Sequence, residues 1–224
     1  MPDKWTASPA CILAFDVGGS HATAGLCDSD TLRVLGQASA PLRSDAQASE
    51  IIDVLYRLGC AVAGSPEKVA GAAFAVPGPF DFAAGVSSML HKLRSLYGLD
   101  LRRALAERFG LDPGRILFLH DAAAFLMGEV AVGSAHGATR AAGIVLGTGI
   151  GSAFARDGRW VTEGDGVPAG GEIWNLPYGA GTVEDLLSTR ALKREYALQA
   201  GREADVITIA QRAETDAVAR RVFE

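Results

Sequence analysis

Short apolar runs that end in glycine or polar clusters dominate the first third of the chain. Three of them, Cys11 to Val17, Thr23 to Cys27 and Leu32 to Gln37, follow one another closely. Runs of this length between turn residues predict buried strands, and their close succession predicts an antiparallel meander. From Asp45 to Ala63 the apolar residues recur at i, i+3, i+4 and i+7, which predicts an amphipathic helix. Val69 to Val76 then returns as a strand that stops at a Pro-Gly-Pro turn.

The middle of the chain continues with alternating helix and strand patterns. A helix is predicted from Leu101 to Phe109, with Asp100 as its N-cap and Gly110 at its end. Arg115 to Leu119 is a further apolar run of strand length, and Ala122 to Val132 has the pattern of a helix.

The last third begins with two strands around a glycine loop, Ala142 to Leu146 and Ser152 to Arg156. Asp157-Gly158 predicts a hairpin turn, and Gly164 to Gly181 has the composition of a loop. The remainder is predicted to be helical in pieces, with Asp205 as one cap. A mixed α/β pattern is therefore used twice, which predicts two lobes, residues 1–118 and 119–224.

Composition excludes several classes of function. The 224 residues are 49% apolar and 21% charged, as in ordinary globular proteins, and the net charge of -5 disfavours a nucleic-acid-binding surface. No apolar run is long enough for a signal peptide or a membrane span, so we expect a cytoplasmic protein that binds neither membrane nor nucleic acid. The cysteines and histidines have no zinc-binding spacing; they are Cys11, Cys27, Cys60, His21, His91, His120 and His136.

Two glycine-rich turns, each between predicted strands, are candidates for ligand binding. They are Gly18-Gly19-Ser20 and the segment Gly147-Thr148-Gly149-Ile150-Gly151-Ser152. Their spacing matches neither the dinucleotide-binding fingerprint nor the P-loop. Glycine permits positive φ and has no Cβ, so such a loop can hold an anion on its backbone N–H groups. Each loop taken alone is also typical of a simple hairpin turn.

Two aspartates stand at the ends of predicted strands. Asp16 follows a strand and precedes the first glycine loop, and we expect it to be buried. A buried carboxylate needs a partner, which Mg²⁺ carrying nucleotide phosphates would supply; capping its own turn is the simpler alternative. Asp121 follows another strand, where it could accept the proton of a hydroxyl that attacks a phosphoryl group, or only cap the next helix.

Taken together, these motifs resemble the ROK family of sugar kinases and sugar-responsive repressors. The similarity runs in order from Leu13 to Glu184 and includes both glycine loops, the Asp121-Ala122 pair and the segment Ala75-Val76-Pro77-Gly78-Pro79. The resemblance implies an α/β protein with the actin-like ATPase (ribonuclease H-like) fold, in two lobes with mixed sheets. Family members continue for a further C-terminal part, so the resemblance also implies a truncated chain.

The resemblance implies an ATP- and Mg²⁺-dependent kinase for a hexose or N-acetylhexosamine, acting at the 6-hydroxyl with Asp121 as the general base. Both loops would hold the ATP phosphates across a cleft, with Asp16 on the metal side; the residues are Asp16, Gly18, Gly19, Ser20, Gly147, Thr148, Gly149 and Gly151. The sugar would be bound by Gly78, His120, Asp121, Glu172, Asn175 and Glu184. No zinc is expected, and the resemblance leaves a homodimer open.

The chain departs from the family pattern at the expected sugar site. His120 replaces the usual Asn before the catalytic Asp, and Trp174-Asn175 stands where a His and a zinc-binding cysteine cluster usually follow. The usual Asn of the sugar loop is also missing, with Lys92 near its place. These changes put glucose in question more than phosphoryl transfer.

Two other functions stay open at this point. One is a sugar-sensing regulator that binds without catalysis; only ten residues precede Cys11, too few for the DNA-binding segment of the repressors. The other is an ATPase that acts without a sugar, against which the Gly171-Glu172 motif argues.

Overall fold

The structure, a computed structural model, describes residues 10–43, 45–90 and 92–224. The predictions that involve the first nine residues and His91 lie outside this part of the chain. The chain divides into two compact units, one that ends at Ala124 and one that runs from Phe125 to Glu224. Within the described ranges, none of the helices has the length and apolar character needed to cross a membrane.

The described residues form twelve strands and seven α-helices. In chain order they are β1 (Cys11–Val17), β2 (His21–Asp28), β3 (Val34–Pro41), α1 (Ala48–Ala63), β4 (Gly71–Val76), β5 (Phe80–Asp81), β6 (Val86–Ser87), α2 (Leu101–Phe109), β7 (Ile116–His120), α3 (Asp121–Val132), β8 (Arg140–Leu146), β9 (Ile150–Arg156), β10 (Arg159–Val161), β11 (Pro177–Tyr178), β12 (Gly181–Thr182), α4 (Val183–Leu187), α5 (Thr189–Ala200), α6 (Val206–Arg212) and α7 (Ala217–Arg221).

The first unit is built on a five-stranded mixed sheet in the order β3-β2-β1-β4-β7. β1, β2 and β3 pair antiparallel, which confirms the predicted meander. β4 pairs with β1 in parallel, and β7 pairs with β4 in parallel. β3 begins at Val34 and not at Leu32, because the preceding turn is longer than predicted. The Asp28 carboxylate accepts hydrogen bonds from the N–H and hydroxyl of Thr31, and Leu32 adopts a φ of 57°.

The core of the first unit lies between this sheet and the helices α1 and α2. Phe15 and Phe74 stack with their ring centroids 4.5 Å apart, and Phe109 of α2 meets Phe15 edge-on at 5.7 Å. The predicted bounds of α2 are confirmed, because the Asp100 carboxylate caps the helix at the Arg103 N–H (2.9 Å) and Gly110 ends it in the left-handed conformation.

The second unit contains the antiparallel sheet β10-β9-β8 followed by short helices. The predicted hairpin is confirmed, with Asp157 and Gly158 both in the left-handed region (φ 49° and 76°). The predicted loop from Gly164 to Gly181 also contains β11, which pairs with β12. Asp205 caps α6 by accepting the Thr208 N–H at 2.7 Å, as predicted. Tyr196, Ile209 and Ala219 form a small buried core among the last helices.

Candidate functional site

Three parallel strands of the first unit end at the same edge of the sheet. In the register of β1, β4 and β7, Asp16 lies beside Ala75 and Ala75 beside Leu119. His120 then ends β7, and Asp121 is the first residue of α3. The carboxyl ends of parallel strands are where open α/β sheets bind their ligands. The fold therefore brings Asp16, His120 and Asp121, which are far apart in the sequence, to one edge of one sheet.

Asp16 is exposed to solvent, so the expectation of a buried carboxylate is wrong. It lies on the open face of β1, between the buried residues Phe15 and Val17. Partial loss of hydration nonetheless raises the pKa of Asp16, the negative charge of Asp121 raises it further, and His21 opposes both. Asp16 and Asp121 are thus close enough to interact electrostatically.

Asp121 has one carboxylate oxygen bound by the protein and one available. Its Oδ1 accepts the Ala122 N–H at 2.7 Å and lies 3.4 Å from Nδ1 of His120. Among the described residues no donor contacts its Oδ2. The side chain is 39% exposed, so this oxygen can accept a proton from a bound ligand. The ring of His120 packs edge-on against Phe82 and beside Gly78.

The first glycine loop joins β1 to β2, and the side chain of Lys92 lies on it. The Gly18 N–H donates to the His21 carbonyl at 2.9 Å. Gly18 and Gly19 do not adopt the left-handed conformation, so positive φ is not why glycine stands here. A Cβ on Gly19 would lie 3.2 Å from Cδ of Lys92, so the absence of a side chain makes room for the lysine. In the described part of the chain the ammonium group of Lys92 has no hydrogen-bonding or ion-pair partner.

The second glycine loop joins β8 to β9 in the second unit, and the side chain of Glu184 contacts it. The Glu184 Oε2 accepts the Ile150 N–H at 3.0 Å, and its Oε1 lies 3.4 Å from Arg190. A Cβ on Gly149 would collide with this carboxylate. Here too the glycines Gly147, Gly149 and Gly151 lie outside the left-handed region, so positive φ does not require them, and at Gly149 the close approach of Glu184 explains the missing side chain. Glu184, expected only at the sugar, also contacts the predicted phosphate loop.

Glu172 lies in an exposed turn of the second unit that is anchored to β9. The hydroxyl of Ser152 donates to the Gly171 carbonyl (2.8 Å) and accepts the Ile173 N–H (3.1 Å). The indole N–H of Trp174 donates to Oε2 of Glu172 at 2.8 Å. Asn175 is the next residue and is exposed. The second unit thus brings Glu172, Asn175 and Glu184 close to one another in the chain segment that follows β10.

The sequence did not predict three residues of these sites: His21, whose charge acts on Asp16, Lys92, which contacts Gly19, and Trp174, which contacts Glu172. His21 lies at the start of β2, across the hairpin turn from Asp16, whereas only a tertiary contact brings Lys92 to Gly19. Trp174 could have been found, because it stands at a departure from the family pattern beside a predicted ligand.

The described residues contain no group of three or more His, Cys, Asp or Glu side chains that could hold a metal ion. Mg²⁺ in phosphoryl-transfer sites is held largely by water and substrate phosphates, with one or two carboxylates from the protein. Asp16, with the charge of Asp121 nearby, fits that requirement.

The fold is similar to that of several solved structures. A ROK hexokinase from Thermus thermophilus is 25% identical, with a TM-score of 0.70 over 95% of this chain and 72% of that chain. A ROK glucokinase from Streptomyces griseus, in complex with glucose and AMPPNP, is 21% identical, with a TM-score of 0.71 over 95% of this chain and 74% of that chain. A ROK transcriptional regulator, homologous to the E. coli MLC protein, is 18% identical, with a TM-score of 0.73 over 95% of this chain and 58% of that chain.

A search of curated proteins gave no match. The sequence model of the ROK family matches residues 12–224, which is almost the whole chain. The actin-like ATPase fold and the resemblance seen in the motifs are thereby confirmed, and this chain belongs to the ROK family.

Proposed function

We propose that this chain transfers the γ-phosphoryl group of ATP to a hydroxyl of a hexose or N-acetylhexosamine. The observation that carries the proposal is the meeting of Asp16 and Asp121 at the ligand-binding edge of the sheet, in a chain that belongs to the ROK family. The similar structures from Thermus thermophilus and Streptomyces griseus, a hexokinase and a glucokinase, support a sugar as the acceptor.

Asp121 would act as the general base. The sugar hydroxyl, most simply the 6-hydroxyl, attacks the γ-phosphorus while its proton moves to the Asp121 carboxylate. The bond between the γ-phosphorus and the bridging oxygen then breaks, and ADP leaves. Oδ2, which no donor among the described residues contacts, suits this role because the hydrogen bond from Ala122 already fixes the orientation of the carboxylate through Oδ1.

The phosphates would be bound by backbone N–H groups of both glycine loops, from Gly18, Gly19 and Ser20 and from Gly147, Thr148, Gly149 and Gly151. Lys92 adds a cation on the first loop, which would counter the phosphate charge. Mg²⁺, when bound, would neutralise the charge that develops on the transferred group, and Asp16 would hold it.

The sugar would be bound by polar side chains and by the backbone at Gly78. Gly78 leaves room beside His120, and His120 can donate a hydrogen bond to a hydroxyl. Glu172, Asn175 and Glu184 supply carboxylate and amide groups, which suit pairs of hydroxyls. Because His120 and Asn175 differ from the usual family residues, the preferred sugar need not be glucose.

A coupled assay for ADP over a panel of hexoses and N-acetylhexosamines tests the proposal, with the wild type and Asp121→Asn compared. Loss of a general base lowers kcat by a factor on the order of 10² to 10⁴. Asp30→Asn is the matched control, since Asp30 lies in the turn between β2 and β3, away from the edge that carries Asp16. We expect wild-type rates from Asp30→Asn.

Equal turnover by wild type and Asp121→Asn would remove Asp121 from the mechanism. Sugar binding in a calorimeter with no turnover of any sugar would instead identify a sugar-sensing regulator, the alternative that the changed residues His120 and Asn175 favour. Hydrolysis of ATP at a rate that no sugar changes would identify an ATPase.

A further inference from the structure

We infer that Trp174 determines the sugar specificity of this chain, by fixing the Glu172 carboxylate and by offering its indole ring to the apolar face of a pyranose. The inference rests on the proposed function insofar as Glu172 binds a sugar. It does not depend on phosphoryl transfer.

Trp174 is connected to both carboxylates of the second unit that are expected to bind the sugar. Its indole N–H donates to Oε2 of Glu172 at 2.8 Å, and its backbone carbonyl accepts the Glu184 N–H at 3.1 Å. Glu184 in turn accepts the Ile150 N–H of the second glycine loop. One residue therefore links the position of Glu172 to that of Glu184.

The turn that carries Trp174 is held by hydrogen bonds on both sides. Ser152, which is buried, bonds to Gly171 and Ile173 immediately before it. After it, the Leu176 N–H donates to the Ile173 carbonyl at 3.1 Å and the Val183 N–H to the Leu176 carbonyl at 3.0 Å. The indole is thus presented from an ordered turn, which reduces the entropy lost when a ligand binds.

The indole ring itself is available to a ligand. Trp174 is 43% exposed and its N–H is occupied by Glu172, so the contact left for a ligand is with the carbon atoms of the ring. A pyranose has C–H groups on its ring faces and hydroxyls around its rim. An aromatic face beside a carboxylate matches that arrangement, because the ring packs on the C–H groups while the carboxylate accepts from the rim hydroxyls. When all hydroxyls of a pyranose are equatorial, both ring faces carry only C–H bonds, whereas an axial hydroxyl, as in galactose, blocks one face. We therefore expect Trp174 to favour the equatorial sugars, which can stack on either face.

Fluorescence of a single tryptophan tests sugar binding without ATP. The variant Trp5→Phe/Trp160→Phe retains Trp174 alone, and we expect its emission to change saturably with glucose or N-acetylglucosamine and less with galactose. The same titration of Trp174→Phe, in which Trp5 and Trp160 remain, should show no such change.

Steady-state kinetics separate the two contributions of the side chain. Trp174→Phe keeps an aromatic ring but loses the N–H, and we expect the KM for the sugar to rise about tenfold, the effect of one hydrogen bond to a charged group. Trp174→Leu loses both, and we expect a rise of roughly a hundredfold, greatest for equatorial sugars. The KM for ATP should stay within about twofold, since the change is confined to sugar binding. Trp160→Phe, on the exposed strand β10, is the control and should match the wild type.

Absence of an emission change with every sugar in the panel would overturn the inference, as would wild-type KM values in Trp174→Leu. If the chain phosphorylates sugars under those results, the proposed function stands while the inference fails. A saturable change in Trp174 emission without phosphorylation would support the inference and contradict the kinase. Circular dichroism spectra that match the wild type establish that each variant is folded.

Discussion

Asp16 and Asp121 carry like charges at the same edge of the sheet, and this repulsion is a cost that the protein bears in the absence of a cation. Partial burial raises the pKa of Asp16 most, and the negative charge of Asp121 raises it further. Residues that lower stability where they stand are common in binding sites, because the ligand supplies the missing partner. A cation-bound nucleotide, the ligand proposed for this edge of the sheet, would relieve that repulsion.

Asp16→Asn should stabilise the protein at neutral pH and weaken nucleotide binding. Because folding raises the pKa of Asp16, wild-type stability is lost as the pH rises from the ordinary value of 3.8 through the raised one. The variant escapes that loss, so its advantage should appear above this range and vanish below it. Solvent screening limits the gain to about 0.5 kcal/mol or less.

Urea unfolding of both proteins at several pH values measures this difference. A variant that is less stable than the wild type at pH 7, or equally stable at every pH, would contradict it. Calorimetric titration with Mg²⁺-ATP should show weaker binding by the variant.

Lys92→Gln should weaken ATP binding without affecting the sugar. The ammonium group has no partner among the described residues and its stem packs on Gly19, so its removal costs the fold little. Loss of one cation at a phosphate site should raise the KM for ATP by about tenfold, the effect of a charged hydrogen bond. Lys68→Gln, in an exposed turn of the first unit, is the control. Equal KM values for Lys92→Gln and Lys68→Gln would remove Lys92 from the nucleotide site.

At the scale of elements, the sequence predicted best those segments whose ends are set by neighbouring residues. The bounds of α2 followed from Asp100 and Gly110, since a cap and a terminating glycine act locally. The start of α1 was wrong by three residues. Asp45, expected to lie in the helix, precedes it, the Ala46 N–H donates to the Arg43 carbonyl at 3.1 Å, and the helix begins after Gln47.

In the candidate site, too, the features set by neighbouring residues were predicted and those set by distant residues were not. Asp121 and the two glycine loops were visible as strand-end motifs, and their elements are confirmed. The exposure of Asp16 and the contact of Glu184 with Ile150 could not be predicted from the sequence, because each depends on residues distant in the chain. Their roles in binding stay predictions.

Substitution of two glycines in neighbouring elements by alanine should change the free energy of unfolding in opposite directions. Gly128 lies within α3, where a Cβ would meet no neighbouring atom, so Gly128→Ala should raise the free energy of unfolding by about 0.5 to 1 kcal/mol. Gly143 lies in β8, where a Cβ would be 3.1 Å from Cβ of Leu126, so Gly143→Ala should lower it by about 1 to 3 kcal/mol. Denaturant unfolding measures both, and the same sign of change in the two variants would contradict this account.

On the scale of the whole molecule, the two units have cores of different size and composition. The first unit contains a continuous cluster that includes Phe15, Phe74 and Phe109, whereas Tyr196 and Ile209 belong to a smaller cluster in the second. A core substitution should therefore act mainly on the unit that contains it.

Phe109→Ala should lower the stability of the first unit by about 3 to 5 kcal/mol, because it removes a buried ring that contacts two other aromatic rings of the sheet. Hydrogen exchange should accelerate in β1 and β4 more than in α5. Leu198→Ala is the control, since Leu198 is 74% exposed and its loss should cost little. Equal acceleration in both units would show that they unfold as one.

The exposed strand β8 should make the purified protein prone to aggregate. In the described residues it pairs with β9 alone, and Ile144 and Leu146 are exposed along it. A long apolar strand with free backbone groups on one side can recruit identical chains edge to edge. Concentrated preparations should therefore grow cloudy with time, and Ile144→Lys should keep them clear.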